Sequence, residues 1–228
     1  MKKTFVWNNK RAEDMSIKTI SLPDIKLSTE RKTETVIPGR DGFLTELDGY
    51  DGDTKQVTAD YIGTREGALK VAQWLKGEGE VVFGNLPDRY YQARINNMIP
   101  ISQILENEMY TFPIEFRCQP YGYLLDGKEE LTITSGTVLN HNKADTESLP
   151  IITINGTGTC SFTINSRTFN ISEIGGSITI NSLMKLVYNN KGDKMTGKFP
   201  YLDVGENTIT YSGTGITSVS IIPQWRCY

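Results

Sequence analysis

Tyr110, Phe112, Ile114, Phe116 and Cys118 alternate without a break with Thr111, Pro113, Glu115 and Arg117. A period of two puts all five large side chains on one face of an extended strand, whereas a helix would scatter them around its axis. The run therefore requires a long strand with one face in a core, and with it a sheet to which that strand belongs. Val57, Ala59 and Tyr61, and again Tyr91, Ala93 and Ile95, repeat the alternation and supply candidate partners. Pro113 falls on the opposite face. Because proline has no amide donor, it predicts either a sheet edge or a bulge, a position suited to contact with a neighbouring subunit; the alternative is an edge that the proline merely protects from pairing.

One helix interrupts the strands, predicted over residues 65–76. Thr64 can cap it, Glu66 sits in its positive first turn, and Gly77 can supply a left-handed stop. Ala68, Val71, Ala72 and Leu75 form a single apolar stripe, which Leu69 and Trp74 widen, and that stripe must lie on the sheet.

After about residue 125 the text changes to short runs rich in Thr, Ile, Asn and Gly. Strands are predicted at 151–154, 160–164, 168–171, 177–180, 185–188, 208–211 and 219–222, separated by turns such as Asn155-Gly156, Gly175-Gly176 and Gly213-Thr214-Gly215. This is the pattern of a compact antiparallel sandwich. Two domains are expected, 1–125 and 126–228, joined by the polar segment Leu125-Asp126-Gly127-Lys128-Glu129. A chain of 228 residues, 38% of them hydrophobic, is long enough for two such cores.

Charge narrows the function classes. The 24 basic and 27 acidic residues are mixed along the chain for a net charge of −3, so no polybasic run is present to track a phosphate backbone or an anionic membrane. Neither sequence-specific nucleic-acid binding nor membrane association is expected. No segment approaches the ~20 apolar residues of a membrane span, and Asn8, Asn9, Lys10 and Arg11 end the apolar start too soon for a signal peptide. The expected setting is a cytoplasm, or a particle assembled in one. Cys118, Cys160 and Cys227 are odd in number and far apart, which argues for reduced structural thiols.

Catalytic constellations are sparse. His141 stands alone in a polar stretch without a neighbouring nucleophile, and three scattered cysteines with one histidine lack the paired spacing of a zinc site. Asp51 with Asp53, and Glu78 with Glu80, read as solvated turn residues rather than a glycosidase pair. Gly192 to Lys198 matches G-x-x-x-x-G-K, but Phe199 and Pro200 follow where a metal-binding hydroxyl and a helix should stand. No catalytic residue, cofactor or metal is expected. Tyr121, Tyr123, Tyr188, Tyr201, Tyr211, Trp225 and Tyr228 keep one alternative open, a carbohydrate-binding sandwich that stacks sugars of the host cell wall on aromatic faces.

The order of several short motifs resembles the distal tail protein family of long-tailed bacteriophages. These are Phe5-Val6-Trp7-Asn8, Val36-Ile37-Pro38-Gly39-Arg40-Asp41-Gly42, a helix ending in Trp74-Leu75, Asp88 to Arg94, and Phe116-Arg117-Cys118-Gln119-Pro120. Further on, Pro150 to Gly156, Asn181-Ser182, Phe199-Pro200-Tyr201-Leu202 and Gly205 to Ile209 continue the likeness, with Asn181 standing where family members often carry Asp. The resemblance implies a mainly β fold, with an N-terminal tail-tube-like domain carrying one α-helix and a C-terminal galectin-like antiparallel β-sandwich. It also implies a structural virion protein at the tail tip, usually a ring of six copies. Its expected partners are the tail tube protein, a tail-associated tip or fibre protein and a receptor-binding protein. The second domain has no room for inserted carbohydrate-binding modules, so receptor recognition is expected to rest with those partners. A ring is readily built from sheet edges and long hairpins. Hairpins predicted at 30–46 and 48–57 make Arg31, Lys32, Arg40, Asp41 and Pro113 the candidate residues for contacts with a neighbouring protomer or the tube.

Overall fold

The computed structural model describes residues 3–95, 99–105 and 108–228. Its contacts divide the chain into two compact units, Met1–Gly122 with Tyr228, and Tyr123–Cys227.

The first unit contains β1 (Phe5–Trp7), β2 (Lys10–Arg11), β3 (Ile17–Ser21), β4 (Glu30–Thr35), β5 (Leu44–Tyr50), β6 (Asp53–Ile62), α1 (Arg65–Trp74), β7 (Glu78–Phe83), β8 (Arg89–Ile95), β9 (Ser102–Leu105) and β10 (Met109–Leu124). Its main sheet runs β2-β1-β7-β8-β10-β6-β3, with β9 also on β10. The long alternating run forms β10, which pairs with β6 from Met109 opposite Ile62 to Cys118 opposite Asp53 without a break in register. All five inward residues are buried, as are Val57, Ala59 and Tyr61 beside them. Phe116 lies at the centre of the core, with the rings of Phe5, Trp7 and Phe83 at 5.6, 5.4 and 5.6 Å.

Helix α1 lies over this sheet through Ala68, Val71 and Leu75. Thr64 Oγ1 accepts from Gly67 N at 3.3 Å, the expected cap, and Gly77 follows at φ 81°. At Gly67 the helix approaches Tyr61 so closely that a Cβ would fall 1.7 Å from the tyrosine hydroxyl, so any larger residue would force the ring to shift. Trp74 joins the stripe by stacking on Phe5 at 6.0 Å, whereas Leu69 points away and is 58% exposed.

Two expectations need correction here. β10 is an interior strand, between β8 and β6, so Pro113 marks no edge, and the register with β6 shows no bulge at that position. On the β6 side the proline interrupts no ladder bond. Thr58, its partner on β6, turns its own amide toward β3, donating to Ser21 Oγ at 3.3 Å, so the Pro113–Thr58 pair requires no amide from proline. The second correction concerns the hairpin at 48–57. β5 and β6 belong to different sheets, and Asp51 and Gly52 are the turn between them.

β10 carries the chain onward, with Tyr123 and Leu124 already part of the second unit. The segment expected as a linker is a 3-10 turn, Leu125–Lys128, whose buried Gly127 packs on Trp225. Then follow β11 (Leu131–Ile133), β12 (Thr137–Leu139), β13 (Ile151–Gly156), β14 (Cys160–Ile164), β15 (Arg167–Ile171), β16 (Gly176–Asn181), β17 (Leu186–Val187), β18 (Met195–Gly197), β19 (Asn207–Gly213), β20 (Ile216–Ile222) and β21 (Arg226–Cys227). Two five-stranded sheets, β11-β20-β13-β16-β17 and β12-β19-β14-β15-β18, enclose a core of Ile152, Ile154, Phe162, Ile164, Phe169, Ile178, Ile180 and Ile221. The fold is mainly β, with one α-helix among the described residues.

Candidate assembly interface

β4 and β5 form a two-stranded ribbon that pairs with no other strand of the sheets described. Every residue of β4 is exposed, as are the first five of β5. Thr35 opposite Leu44 begins a ladder that reaches Glu30 opposite Tyr50, with one irregularity between Arg31 and Lys32. A lone hairpin is at best marginally stable in water. This arm nevertheless carries exposed apolar side chains: Val36 (72%), Phe43 (58%), Leu47 (50%) and Leu44 (46%).

The polar side chains along the ribbon mostly bond within it. Arg31 reaches Asp51 at 3.6 Å and the Asp48 carbonyl at 3.3 Å, Lys32 pairs with Glu30, and Thr33 bonds the Asp48 carboxylate. These pairs are solvated and worth little individually. At the tip, Gly39 and Gly42 adopt φ 81° and 82° with open space around them, and they shape the turn holding Arg40 and Asp41. Neither of those side chains has a hydrogen bond or ion pair among the described residues. Of the five candidate residues, the fold thus gathers Arg31, Lys32, Arg40 and Asp41 on one projecting element. Pro113 lies apart, half-buried in the main sheet.

The root of the arm is aromatic. Tyr50, Tyr121 and Tyr228 surround one another at 5.9, 5.0 and 5.5 Å between ring centres, and the backbone carbonyl of Tyr228 accepts from Arg89 at 3.3 Å. Ser28 donates to the Pro120 carbonyl. The hydrogen bond with Tyr228, followed by partial desolvation, pushes the Tyr50 hydroxyl up to about 12. Sequence reasoning grouped Tyr121 and Tyr228 with the candidate sugar-stacking rings and left Tyr50 out, because no local pattern ties three residues so far apart in the chain.

The features weighed for chemistry have structural roles in the second unit. His141 Nε2 lies 2.9 Å from Asp126 Oδ2, and its ring packs on Trp225 at 5.6 Å, so the histidine has a carboxylate partner that the local sequence did not reveal. The G-x-x-x-x-G-K segment forms a 3-10 turn and β18. Lys191, just before it, donates to the carbonyls of Ile174, Gly175 and Ser177 at 2.7, 2.9 and 2.7 Å, clamping the loop to the turn ahead of β16. Arg167 binds Asp203 through two nitrogens at 3.3 and 2.8 Å and covers the Tyr201 ring at 3.7 Å. Tyr123 and Trp225 are buried and Tyr211 stacks on Phe162 at 6.0 Å, so these rings are not free sugar platforms; Tyr188 is 39% exposed. Among the described residues no group of three or more His, Cys, Asp or Glu side chains is placed to hold a metal, and no helix is long and apolar enough to cross a membrane.

The crystal structure of the Dit (gp 19.1) protein of phage SPP1, described as a paradigm of the hub adsorption apparatus in phages that infect Gram-positive bacteria, superposes on 96% of this chain and 97% of its own, with a TM-score of 0.71 and 13% identity. The chain has the Dit fold. A chain of the phage P2 baseplate, in its activated conformation with calcium, matches over 92% of this chain and 91% of its own, with a TM-score of 0.50 and 6% identity. No family model matches the sequence and no curated protein matches it. At such identities the likeness is one of fold, and side-chain roles have to be argued from this chain's own residues.

Proposed function

We propose that this protein is a structural component of a long-tailed bacteriophage, a distal tail protein whose ring joins the tail tube to the tail-tip and host-adsorption proteins. The β4–β5 arm carries the reading. On a chain with the Dit fold along its whole length, a ribbon with two unpaired edges and exposed apolar residues has a use only when another chain covers it. Six copies would close the ring through the first, tail-tube-like unit, leaving the galectin-like second unit to meet tip, fibre or receptor-binding proteins. The protein then works by binding and needs no reactive side chain or cofactor, and its place is the tail tip of the virion.

Light scattering of the purified chain over a concentration series tests this. The mass is expected to rise toward about six protomers of 25.6 kDa each. A chain that stays monomeric at every concentration and binds wall polysaccharide would replace the hub with a glycan-binding module.

A further inference from the structure

A ring needs two different surfaces on each copy, and the arm supplies only one. Beside the last residue of β6, the first unit has a surface hollow of about 440 Å3 lined by Lys3, Glu13, Ile17, Lys18, Thr19 and Ile62. Part of its wall is apolar. Ile62 is 56% exposed, and its cross-strand neighbour Met109 continues the surface to Leu105, 53% exposed. The rim is charged, since Lys3, Glu13 and Lys18 are exposed and make no side-chain bond among the described residues.

The tip of the arm presents the matching set: Ile37 and Phe43 as apolar groups, with Arg40 and Asp41 as charges lacking a partner in their own chain. The two surfaces belong to different places on the first unit. The arm's root meets the sheet at the start of β6 and the hollow lies at its end, nine residues on, which at ~3.3 Å per residue puts root and hollow about 30 Å apart. A protrusion and a receptive hollow at separate places on one chain make a head-to-tail contact, the kind that closes into a ring.

We infer that the arm tip of one copy seats in this hollow of the next. Ile37 and Phe43 cover Ile62, Asp41 meets Lys3 and Lys18, and Arg40 meets Glu13. The contact rests on the hub reading and adds to it the pair of surfaces that close the ring.

Charge reversal on the full chain tests the contact. Asp41→Lys is expected to weaken self-association at least about tenfold at low salt, and Lys18→Asp in the same chain to recover most of that loss. As a second measurement, a Phe43→Cys chain mixed with an Ile62→Cys chain should form a disulfide-linked dimer far faster than either alone, since the three native cysteines are buried. If Asp41→Lys assembles as the wild type does and the mixture cross-links no faster than the separate chains, the contact is wrong. In that event a wild-type chain that still reaches the mass of the ring keeps the hub reading, and one that remains monomeric removes both.

Discussion

At the scale of single residues, buried polar groups do as much as the apolar core to define the second unit. Asn207 is fully buried, and its side chain makes four bonds: it donates to the carbonyls of Asp203 and Gly205 at 2.9 and 3.0 Å, and accepts from Asp203 N at 2.8 Å and Asn165 Nδ2 at 3.2 Å. Together these fold the 203–207 loop onto the start of β19. Asn207→Ala would take the side-chain donor from both carbonyls and the acceptor from Asp203 N, and should cost about 2–3 kcal/mol, read as a lower urea midpoint. Asn207→Asp replaces a donor with a charge facing carbonyls and should be no milder. The motif Gly205-Glu206-Asn207 was visible in the sequence, but its role was not, because the asparagine's partners include Asn165 some forty residues earlier. Pro113 teaches the converse. A missing donor in a sequence says that one hydrogen bond is absent; only the register of the neighbouring strands says whether one was required.

Among the elements, those with strong periodicity were legible and those held by long-range contacts were not. β10, α1 and β14 lie where alternation and capping put them, since burial on one face leaves a pattern in any sequence. β11, β12, β18 and β21 carry two or three residues each, too few to express a period, and exist because a longer neighbour offers them an edge. The arm was foreseen as a hairpin at 30–46, but its isolation from the main sheet was not, and neither was the tyrosine root that anchors it. That root has a pH signature. The Tyr50 hydroxyl is raised from 10.0 to about 12, so the protonated cluster contributes fully below pH 10 and is lost as pH rises through about 12. An ultraviolet titration of the eleven tyrosines should therefore show a late group containing Tyr50 and the buried Tyr123, whose hydroxyl desolvation also raises. Tyr228→Phe should return Tyr50 toward 10 and leave Tyr123 in place; an unchanged titration would mean that the Tyr228 hydroxyl does not hold the arm's root.

Over the whole molecule, two cores, each with its own thiol reporter, should be separable. Burial pushes the Cys118 thiol up to about 12 in the first unit and the Cys160 thiol up to about 11 in the second. At pH 8 both are therefore neutral as well as covered, and an alkylating reagent should reach each one only when its unit opens. Peptide-level labelling along a urea gradient is expected to give separate midpoints for Cys118 and Cys160; coincident midpoints would show that the units unfold as one. The arm has no core residue in either cluster. Its free edges and exposed Val36, Phe43 and Leu47 therefore pose a hazard for an isolated chain, since such a ribbon can template aggregation. Glu30, Arg31, Lys32, Glu34, Glu46 and Asp48, spaced along both strands, act as gatekeepers: they make indiscriminate strand addition unfavourable while leaving the edges open to a partner of complementary charge.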